Sequence, residues 1–175
     1  AGDAGKARQV AEIALSAIKR IAEPWRRARA LGELAVALAR AGQAEAAFGV
    51  AKQIGEPWRH VQALAEVAAA FVRAGDAGKA RQVAMGAAGV AGQIEGSWLR
   101  ARALAEVACA LARVGEGDKA RRVAENAANA AEQIEEHWGR ARALAEMAGV
   151  LARADSIPEA LKIMTLIEID KSSYR

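Results

Sequence analysis

The residue types that most often carry out chemistry are scarce in this chain of 175 residues. There are two histidines, His60 and His137, and one cysteine, Cys109. A zinc site needs several Cys, His or carboxylate ligands at suitable spacing, and a nucleophilic Ser or Cys needs a neighbouring base. The sequence contains neither HExxH nor CxxC, and no serine stands in an arrangement with a histidine and an acid. We therefore expect a protein that is not an enzyme and that uses no metal and no cofactor.

Each of these three residues also has a structural interpretation. His60 takes a place that arginine holds in related segments, so we expect it to be solvated, and we expect the same of His137, which precedes Trp138. Cys109 takes the place of Ala69, and small buried thiols are common in protein cores. One cysteine also excludes a disulfide within a single chain.

A fourfold repeat is the strongest pattern in the sequence, and it must position whatever side chains the protein uses. Trp25, Trp58, Trp98 and Trp138 each begin a near-copy of one segment, at intervals of 33, 40 and 40 residues. The four copies are WRRARALGELAVALAR, WRHVQALAEVAAAFVR, WLRARALAEVACALAR and WGRARALAEMAGVLAR. Such periods are typical of solenoids, in which each unit buries its apolar face against its neighbours. Charged residues recur with the repeat, as surface residues do, whereas a catalytic pair would interrupt the repeat at one place.

Composition limits the possible partners. Apolar residues make up 53% of the chain and aromatic residues only 4%, which favours closely packed helices over strands. The formal net charge of +4 is too small for the footprint of a nucleic-acid binder. No uninterrupted apolar stretch is long enough to span a membrane, and the first residues of the sequence lack the layout of a signal peptide. We expect a cytoplasmic protein, and because the sequence begins inside a repeat without an initiator Met, we expect a piece of a longer chain.

Each repeat is expected to be a helix, a tight turn and a second helix. In the unit that begins at Trp58, apolar residues follow the i, i+3, i+4, i+7 spacing of one helical face. Gly75 provides a left-handed residue that ends the first helix, and Asp76 can cap the second. Pro24 and Pro57 stop the helices that precede them. The expected helices are 3–22, 25–40, 43–54, 58–73, 76–94, 98–113, 116–134, 138–153 and 157–169.

These helices are expected to form one domain in five parts. The parts are the second helix of a truncated repeat at 1–24, repeats at 25–57, 58–97 and 98–137, and a C-terminal repeat at 138–175 with an apolar last helix. The 33-residue repeat has lost seven residues from its second helix, close to two turns, so its apolar face keeps its phase. That helix should end about 10 Å early and leave a notch near residues 43–57.

The repeat resembles the tetratricopeptide repeat family. The family's apolar, small and aromatic places and its turn glycine correspond here to Leu64, Val67, Ala68, Phe71, Gly75, Ala80, Ala84 and Ala87. The resemblance implies an all-α fold, a right-handed α-solenoid of antiparallel helix pairs with about nine helices. It also implies a concave face, lined by first helices, that holds a peptide or a helix of a partner. This chain departs from the family in its longer second helices and in the Trp that opens each unit, which we expect to pack between successive repeats.

The resemblance implies which side chains face the groove. An N-terminal row consists of Arg29, Gln62, Arg102 and Arg142. A C-terminal row consists of Arg40, Arg73, Arg113 and Arg153. The two rows would flank a strip of small residues, which predicts a non-catalytic protein-binding module whose partner peptide or helix is acidic and amphipathic. The same arginines also have an ordinary interpretation as solvated surface, because each can meet a nearby glutamate or a helix dipole.

Self-association is the alternative function. The last expected helix is apolar on most sides, and such a helix tends to be buried. The residues of this alternative site are Leu161, Ile163, Met164, Leu166, Ile167 and Ile169. Together with the N-terminal helix, which lacks a first-helix partner, they would make the chain a scaffold segment that forms homodimers through its ends.

Overall fold

A computed structural model describes the backbone of residues 2–153 and, within that range, the side chains of residues 9–136, 138–145 and 147–149. This part of the chain is all-α: it forms eight helices and no strand. The helices are α1 (Gly2–Lys19), α2 (Pro24–Arg40), α3 (Ala44–Ala51), α4 (Pro57–Arg73), α5 (Ala77–Gly92), α6 (Ser97–Arg113), α7 (Gly117–Glu132) and α8 (His137–Arg153). The ninth expected helix, at 157–169, lies outside the described residues.

The eight expected helices in this range are all present, and the second helices end two or three residues earlier than expected. An isoleucine follows each of them: Ile21, Ile54, Ile94 and Ile134. Each isoleucine N–H bonds to the carbonyl three residues back, at 3.0 to 3.2 Å, which is the bond of a tight terminal turn rather than of an α-helix. The side chains still pack on the core, so the apolar pattern continues after the α-helical backbone has ended.

Three turns join the helices of a pair in the same way. Gly42, Gly75 and Gly115 have φ angles of 76°, 79° and 80°, which only glycine adopts without strain. The N–H of the residue after each glycine bonds at 2.9 Å to the carbonyl five residues before it, which closes the preceding helix. The Asp76 carboxylate also accepts a bond from the Lys79 N–H at 3.0 Å and caps α5. The expected turn glycine and helix cap are therefore confirmed.

Helix contacts follow the order of the chain. Helices α2, α4, α6 and α8 contact one another in succession, and α3, α5 and α7 each contact the helix before and the helix after them. Substantial contacts in the described range join only helices that are at most two positions apart. Ala35, Ala68 and Ala108, at equivalent places on α2, α4 and α6, have no exposed surface, so these helices approach one another closely.

The second helix of the 33-residue repeat is short. Helix α3 has 8 residues, whereas α5 and α7 have 16 each. At 1.5 Å per residue the difference amounts to about 12 Å of helix. The structure thus shortens this helix by about the length that the sequence predicts.

The same substitution at two glycines should have opposite effects. Gly75→Ala forces a side chain into the left-handed region and should lower the free energy of unfolding by about 1 kcal/mol or more. Gly86→Ala lies inside α5, where no atom beyond the helix's own backbone is within 4 Å of the added Cβ. It should raise the free energy of unfolding by about 0.5–1 kcal/mol. Urea unfolding followed by circular dichroism measures both, and equal signs would contradict this account of the turns.

Candidate functional site

The C-terminal ends of α2 and α4 lie side by side. The Arg73 Nη2 of α4 donates to the Ala39 carbonyl of α2 at 2.9 Å. The Arg40 Nη2 of α2 lies 3.3 Å from the Glu66 Oε1 of α4. Two arginines that are 33 residues apart in sequence are therefore brought to one edge of the fold.

A shallow groove of about 480 Å³ collects three members of the expected C-terminal row. It is lined by Arg40, Glu66, Ala69, Val72, Arg73 and Arg113, and we call it the arginine groove. The fourth member, Arg153, has its side chain outside the described residues. The groove combines guanidinium groups with an apolar wall, because Val72 keeps 39% of its surface exposed.

The arginines of this groove are held by weak interactions. Arg40 and Glu66 keep 69% and 31% of their side-chain surface exposed, and such surface ion pairs contribute at most about 1 kcal/mol. Arg73 meets the negative end of the α2 dipole, whereas the ordinary interpretation of this row expects each arginine to suit the dipole of the helix that it ends. The Arg40 and Arg113 side chains are exposed at the rim.

The expected strip of small residues is accessible only in part. Ala105 and Cys109 on α6 are buried by neighbouring helices, so a ligand cannot contact them in this arrangement. Ala69 keeps a small exposed fraction and lines the arginine groove. The other members of the strip are Ala65 on α4, which is buried, Gly32 and Val36 on α2, which are half-buried, and Ala145 and Gly149 on α8, which are exposed. Close packing of α4 and α6 therefore covers the middle of the strip, and its members on α2 and α8 stay accessible.

The four residues of the expected N-terminal row differ in burial and in the groups that they contact. Arg29 is exposed and pairs with Glu33 of its own helix at 2.9 Å. Gln62 is half-buried and Arg142 is exposed. Arg102 is half-buried, with its guanidinium 4.6 Å from the Trp58 ring centroid and 5.5 Å from that of Trp98. Arg102 thus lies against the tryptophans of two successive repeats, a contact that sequence reasoning missed.

The four tryptophans have two different environments. Trp58 and Trp98 are half-buried and pack against the core, as expected of residues between repeats. Trp25 and Trp138 are 59% and 67% exposed, so the expectation is wrong for these two. The place that Arg102 takes relative to Trp58 is taken by Gln62 relative to Trp25, so the next repeat provides no cation for the Trp25 ring. The cation at Trp25 comes instead from the adjacent Arg26, whose guanidinium lies 5.2 Å from the ring centroid.

A second groove lies beyond the C-terminal end of the short α3. The sequence predicts a notch in this region, near residues 43–57. Its volume is about 530 Å³, and the exposed Trp25 stands on one wall. Its lining residues are Pro24, Trp25, Arg27, Ala28, Leu31, Gln53, Gly55, Glu56 and Pro57. The Glu56 carboxylate accepts bonds from the Trp58 and Arg59 N–H groups, both at 3.1 Å, so it serves as the cap of α4.

In two copies the arginine two residues after the tryptophan bonds across the junction between repeats, whereas the Arg100 Nη2 of a third copy donates to the Gln133 Oε1 at 2.8 Å. Arg27 donates to the Ile21 carbonyl at 3.4 Å, and Arg140 donates to the Ile134 carbonyl at 3.1 Å. The signal in the sequence is an Ile–Arg pair six residues apart, which recurs in three of the four copies. In the remaining copy His60 replaces the arginine.

His60 is half-buried, so the expectation of a solvated place is wrong. Burial removes water from the imidazole and lowers the pKa of His60 below its ordinary value of 6.5. His60 occupies a position at the junction between repeats where the other three copies have the longer side chain of arginine. The side chain of His137 lies outside the described residues.

Metal-ligand clusters and membrane-spanning helices are both absent from the described range. No three His, Cys, Asp or Glu side chains there come together as metal ligands. In that same range no helix is both long and apolar enough to cross a bilayer. The six residues expected to mediate self-association, from Leu161 to Ile169, lie outside the described residues.

The fold is similar to a known structure. The model matches the crystal structure of Ton1535 from Thermococcus onnurineus NA1 with a TM-score of 0.64. The two chains are 18% identical, and the match covers 95% of this chain and 52% of that one, so this chain spans about half the length of Ton1535. At this identity the likeness concerns the fold alone. No protein-family model and no curated protein matches the sequence.

Restoring the arginine at the place of Gln62 should stabilise the protein. In Gln62→Arg the new guanidinium can lie over Trp25 as Arg102 lies over Trp58, a contact worth about 0.5–1 kcal/mol. Urea unfolding measures the gain. The same substitution in a Trp25→Leu background is the control, and an equal gain in both backgrounds would show that the ring is not involved.

His60 should make the free energy of unfolding depend on pH around and below the ordinary histidine pKa of 6.5. Because the folded pKa of His60 is lowered, the unfolded state takes up the proton first, so its contribution to stability is fully present well above pH 6.5 and is lost as the pH falls through 6.5 toward the folded pKa. Two other groups with shifted pKa values titrate outside this pH range. The pKa of Lys79 is raised chiefly by its hydrogen bond to Glu45, and the pKa of Glu116 is lowered chiefly by the hydrogen bond that it accepts from Lys119.

The variant His60→Gln should lose less stability than the parent over this pH range. Urea midpoints at several pH values measure the difference between the two proteins, and His137 is common to both. Parallel pH profiles would mean that burial of His60 does not affect its titration.

Proposed function

We propose that this chain is a segment of a right-handed, tetratricopeptide-like α-solenoid that acts as a non-catalytic protein-interaction module. Its ligand is an acidic, amphipathic peptide or helix, and its binding site is the arginine groove. The observation that carries the proposal is that Arg40, Arg73 and Arg113, which end three successive first helices, line one groove with an apolar wall.

The order of helix contacts supports the solenoid. In such folds each repeat contacts only its neighbours, and the described helices make substantial contacts only with helices one or two positions away. The closed glycine turns place the two helices of each pair close together in space. The similarity to Ton1535 supports a helical fold of this general shape and carries no information on ligands.

The chemistry of the groove supports an acidic ligand. Guanidinium groups form forked, charge-assisted bonds with carboxylates, and each such bond is worth about 1.5–3 kcal/mol when it is well formed. Val72 and Ala69 provide the apolar surface that an amphipathic segment needs. The net charge of +4 favours encounter with an acidic partner.

Glu66 is the residue in the groove that opposes an acidic ligand. It pairs with Arg40 at the surface, and a ligand carboxylate can take its place because a surface ion pair is worth at most about 1 kcal/mol. Arg73 is committed to the Ala39 carbonyl and shapes the groove rather than meeting the ligand. Arg40 and Arg113 are therefore the side chains that we assign to ligand binding.

Charge reversal at Arg113 tests the proposal. The ligand is a fluorescein-labelled helical peptide with Glu along one face and Leu along the other, and binding is measured by fluorescence anisotropy. Arg113→Glu should weaken binding by about tenfold or more, which corresponds to the loss of one charge-assisted contact. The affinity for the parent protein should also fall as salt is raised, because the contacts are exposed.

The matched control is Arg122→Glu, which reverses an equally exposed arginine on α7, away from the arginine groove. It should change the affinity by less than about twofold. If both variants lose binding equally, or if a peptide with Lys in place of Glu binds as well, general charge rather than the groove is responsible and the proposal is wrong.

A further inference from the structure

The arginine groove carries more positive charge than one carboxylate can neutralise. The charged residues that line it are Arg40 of α2, Glu66 and Arg73 of α4, and Arg113 of α6. Three guanidinium groups and one carboxylate leave a net charge of +2. A carboxylate of a ligand brings a single negative charge, whereas a phosphate monoester brings about −1.5 to −2 at neutral pH. The charge of the groove is therefore complementary to a phosphate monoester.

Two of the three arginines have donors available for a ligand. No hydrogen bond or ion pair joins the Arg113 side chain to another residue in the described range. The Arg40 guanidinium uses its Nη2 for the exposed pair with Glu66, and a guanidinium has five N–H donors in all. Arg40 and Arg113 can therefore both donate to a bound anion, while Arg73 contributes its charge from its place on the Ala39 carbonyl.

The number of oxygens on the anion also distinguishes the two ligand groups. A carboxylate has two oxygens in one plane, and a single guanidinium can satisfy both of them in a forked pair. A phosphate monoester has three strong acceptor oxygens, so two guanidinium groups can donate to it at once. Arg40 and Arg113 come from different first helices and line one groove of about 480 Å³. Donors that converge in this way suit one phosphate better than one carboxylate.

The helix ends beside the groove oppose an anion, and the arginines must outweigh them. Helices α2, α4 and α6 all end here, and the C-terminus of a helix has a partial negative charge. Arg73 offsets this effect at α2, because its guanidinium binds the Ala39 carbonyl in the last turn at 2.9 Å. The full charges on Arg40 and Arg113 then exceed the partial charges of the helix ends.

The apolar wall of the groove indicates that the phosphate belongs to a peptide. Val72 is 39% exposed and lines the groove together with Ala69, so apolar side chains next to the phosphate would gain contacts. Among the described residues that line the groove, none is an aromatic residue on which a nucleic-acid base could stack. A phosphorylated amphipathic segment matches both the charge and the apolar surface.

We propose that the arginine groove recognises a phosphorylated serine or threonine within an amphipathic segment of the partner, with the phosphate held between Arg40 and Arg113. This inference rests on the proposed function, because it names the acidic group that the ligand presents to the same groove. Binding then depends on whether the partner is phosphorylated, since the phosphate supplies the group that both arginines contact.

Three fluorescein-labelled helical peptides test the inference. All have Leu along one face and Gln along the other, and they differ only at the centre of the polar face. One peptide has a phosphoserine there, one has an unmodified serine, and one has two glutamates a helical turn apart, which match the charge of the phosphoserine. Fluorescence anisotropy at one ionic strength should show the phosphoserine peptide binding about tenfold more tightly than the two-glutamate peptide, and the serine peptide binding most weakly.

Protein variants locate the phosphate. Arg40→Gln and Arg113→Gln should each weaken binding of the phosphoserine peptide by about tenfold, because each removes one of the two guanidinium groups that hold the phosphate. Glu66→Gln should strengthen it, because the substitution removes a like charge and releases Arg40. Arg122→Gln, at an exposed place on α7, is the matched control and should leave the affinity within about twofold. Circular dichroism checks that every variant keeps the helicity of the parent.

The possible failures of this inference and of the proposed function differ. Equal affinities for the phosphoserine and two-glutamate peptides, both reduced by Arg113→Gln, would overturn the inference and leave the proposed function in place. The same holds if Arg113→Gln weakens phosphoserine binding and Arg40→Gln does not, because the phosphate would then need only one guanidinium. A single-stranded oligothymidine that binds more tightly than the phosphoserine peptide would also overturn the inference. If Arg113→Gln affects the binding of none of the peptides, the inference and the proposed function are both wrong.

Discussion

Each helix pair of this protein has more apolar surface than it can bury within itself, and the rest of the structure follows from that constraint. Alanine dominates the contact faces, so a single side chain contributes little and stability must come from many close approaches. Fully buried alanines such as Ala35, Ala68 and Ala108 recur at equivalent places on successive helices. Helix α1, which packs on α2, leaves Val10 and Ile13 exposed on another face.

The same constraint explains where functional surface can exist. Close packing of α4 and α6 covers the middle of the expected strip of small residues, as at Ala105 and Cys109. The two grooves lie elsewhere: the arginine groove forms at the C-terminal ends of first helices, and the groove at Trp25 forms beyond the end of the short α3. Both surfaces combine apolar and polar groups, and both arise from a break in the regular packing.

Much of the fold is predictable from the sequence because its signals are local and repeated. The turn glycines, the helix starts at Pro24 and Pro57 and the short α3 all depend on residues adjacent in sequence. The contacts that were missed join different repeats. Nothing near Trp58 in sequence indicates that Arg102 lies over its ring, and nothing near His60 indicates that the junction buries it. In the candidate site, the C-terminal row of arginines could be predicted because an arginine ends each copy of the repeat. The N-terminal row is not uniform, because Gln62 stands where the other copies have arginine.

Stacking of the repeats in a line is the central claim, since the proposed binding site depends on equivalent residues lying side by side. Spin labels on cysteines at exposed, equivalent places near the starts of α3, α5 and α7 test it, namely Glu45, Gly78 and Asp118, in a Cys109→Ala background. A stacked array places position 118 one repeat further from position 45 than position 78 is, so double electron–electron resonance should give a clearly longer separation for 45 and 118 than for 45 and 78. Two equal separations would mean that the helices close into a globule, and the account would be wrong.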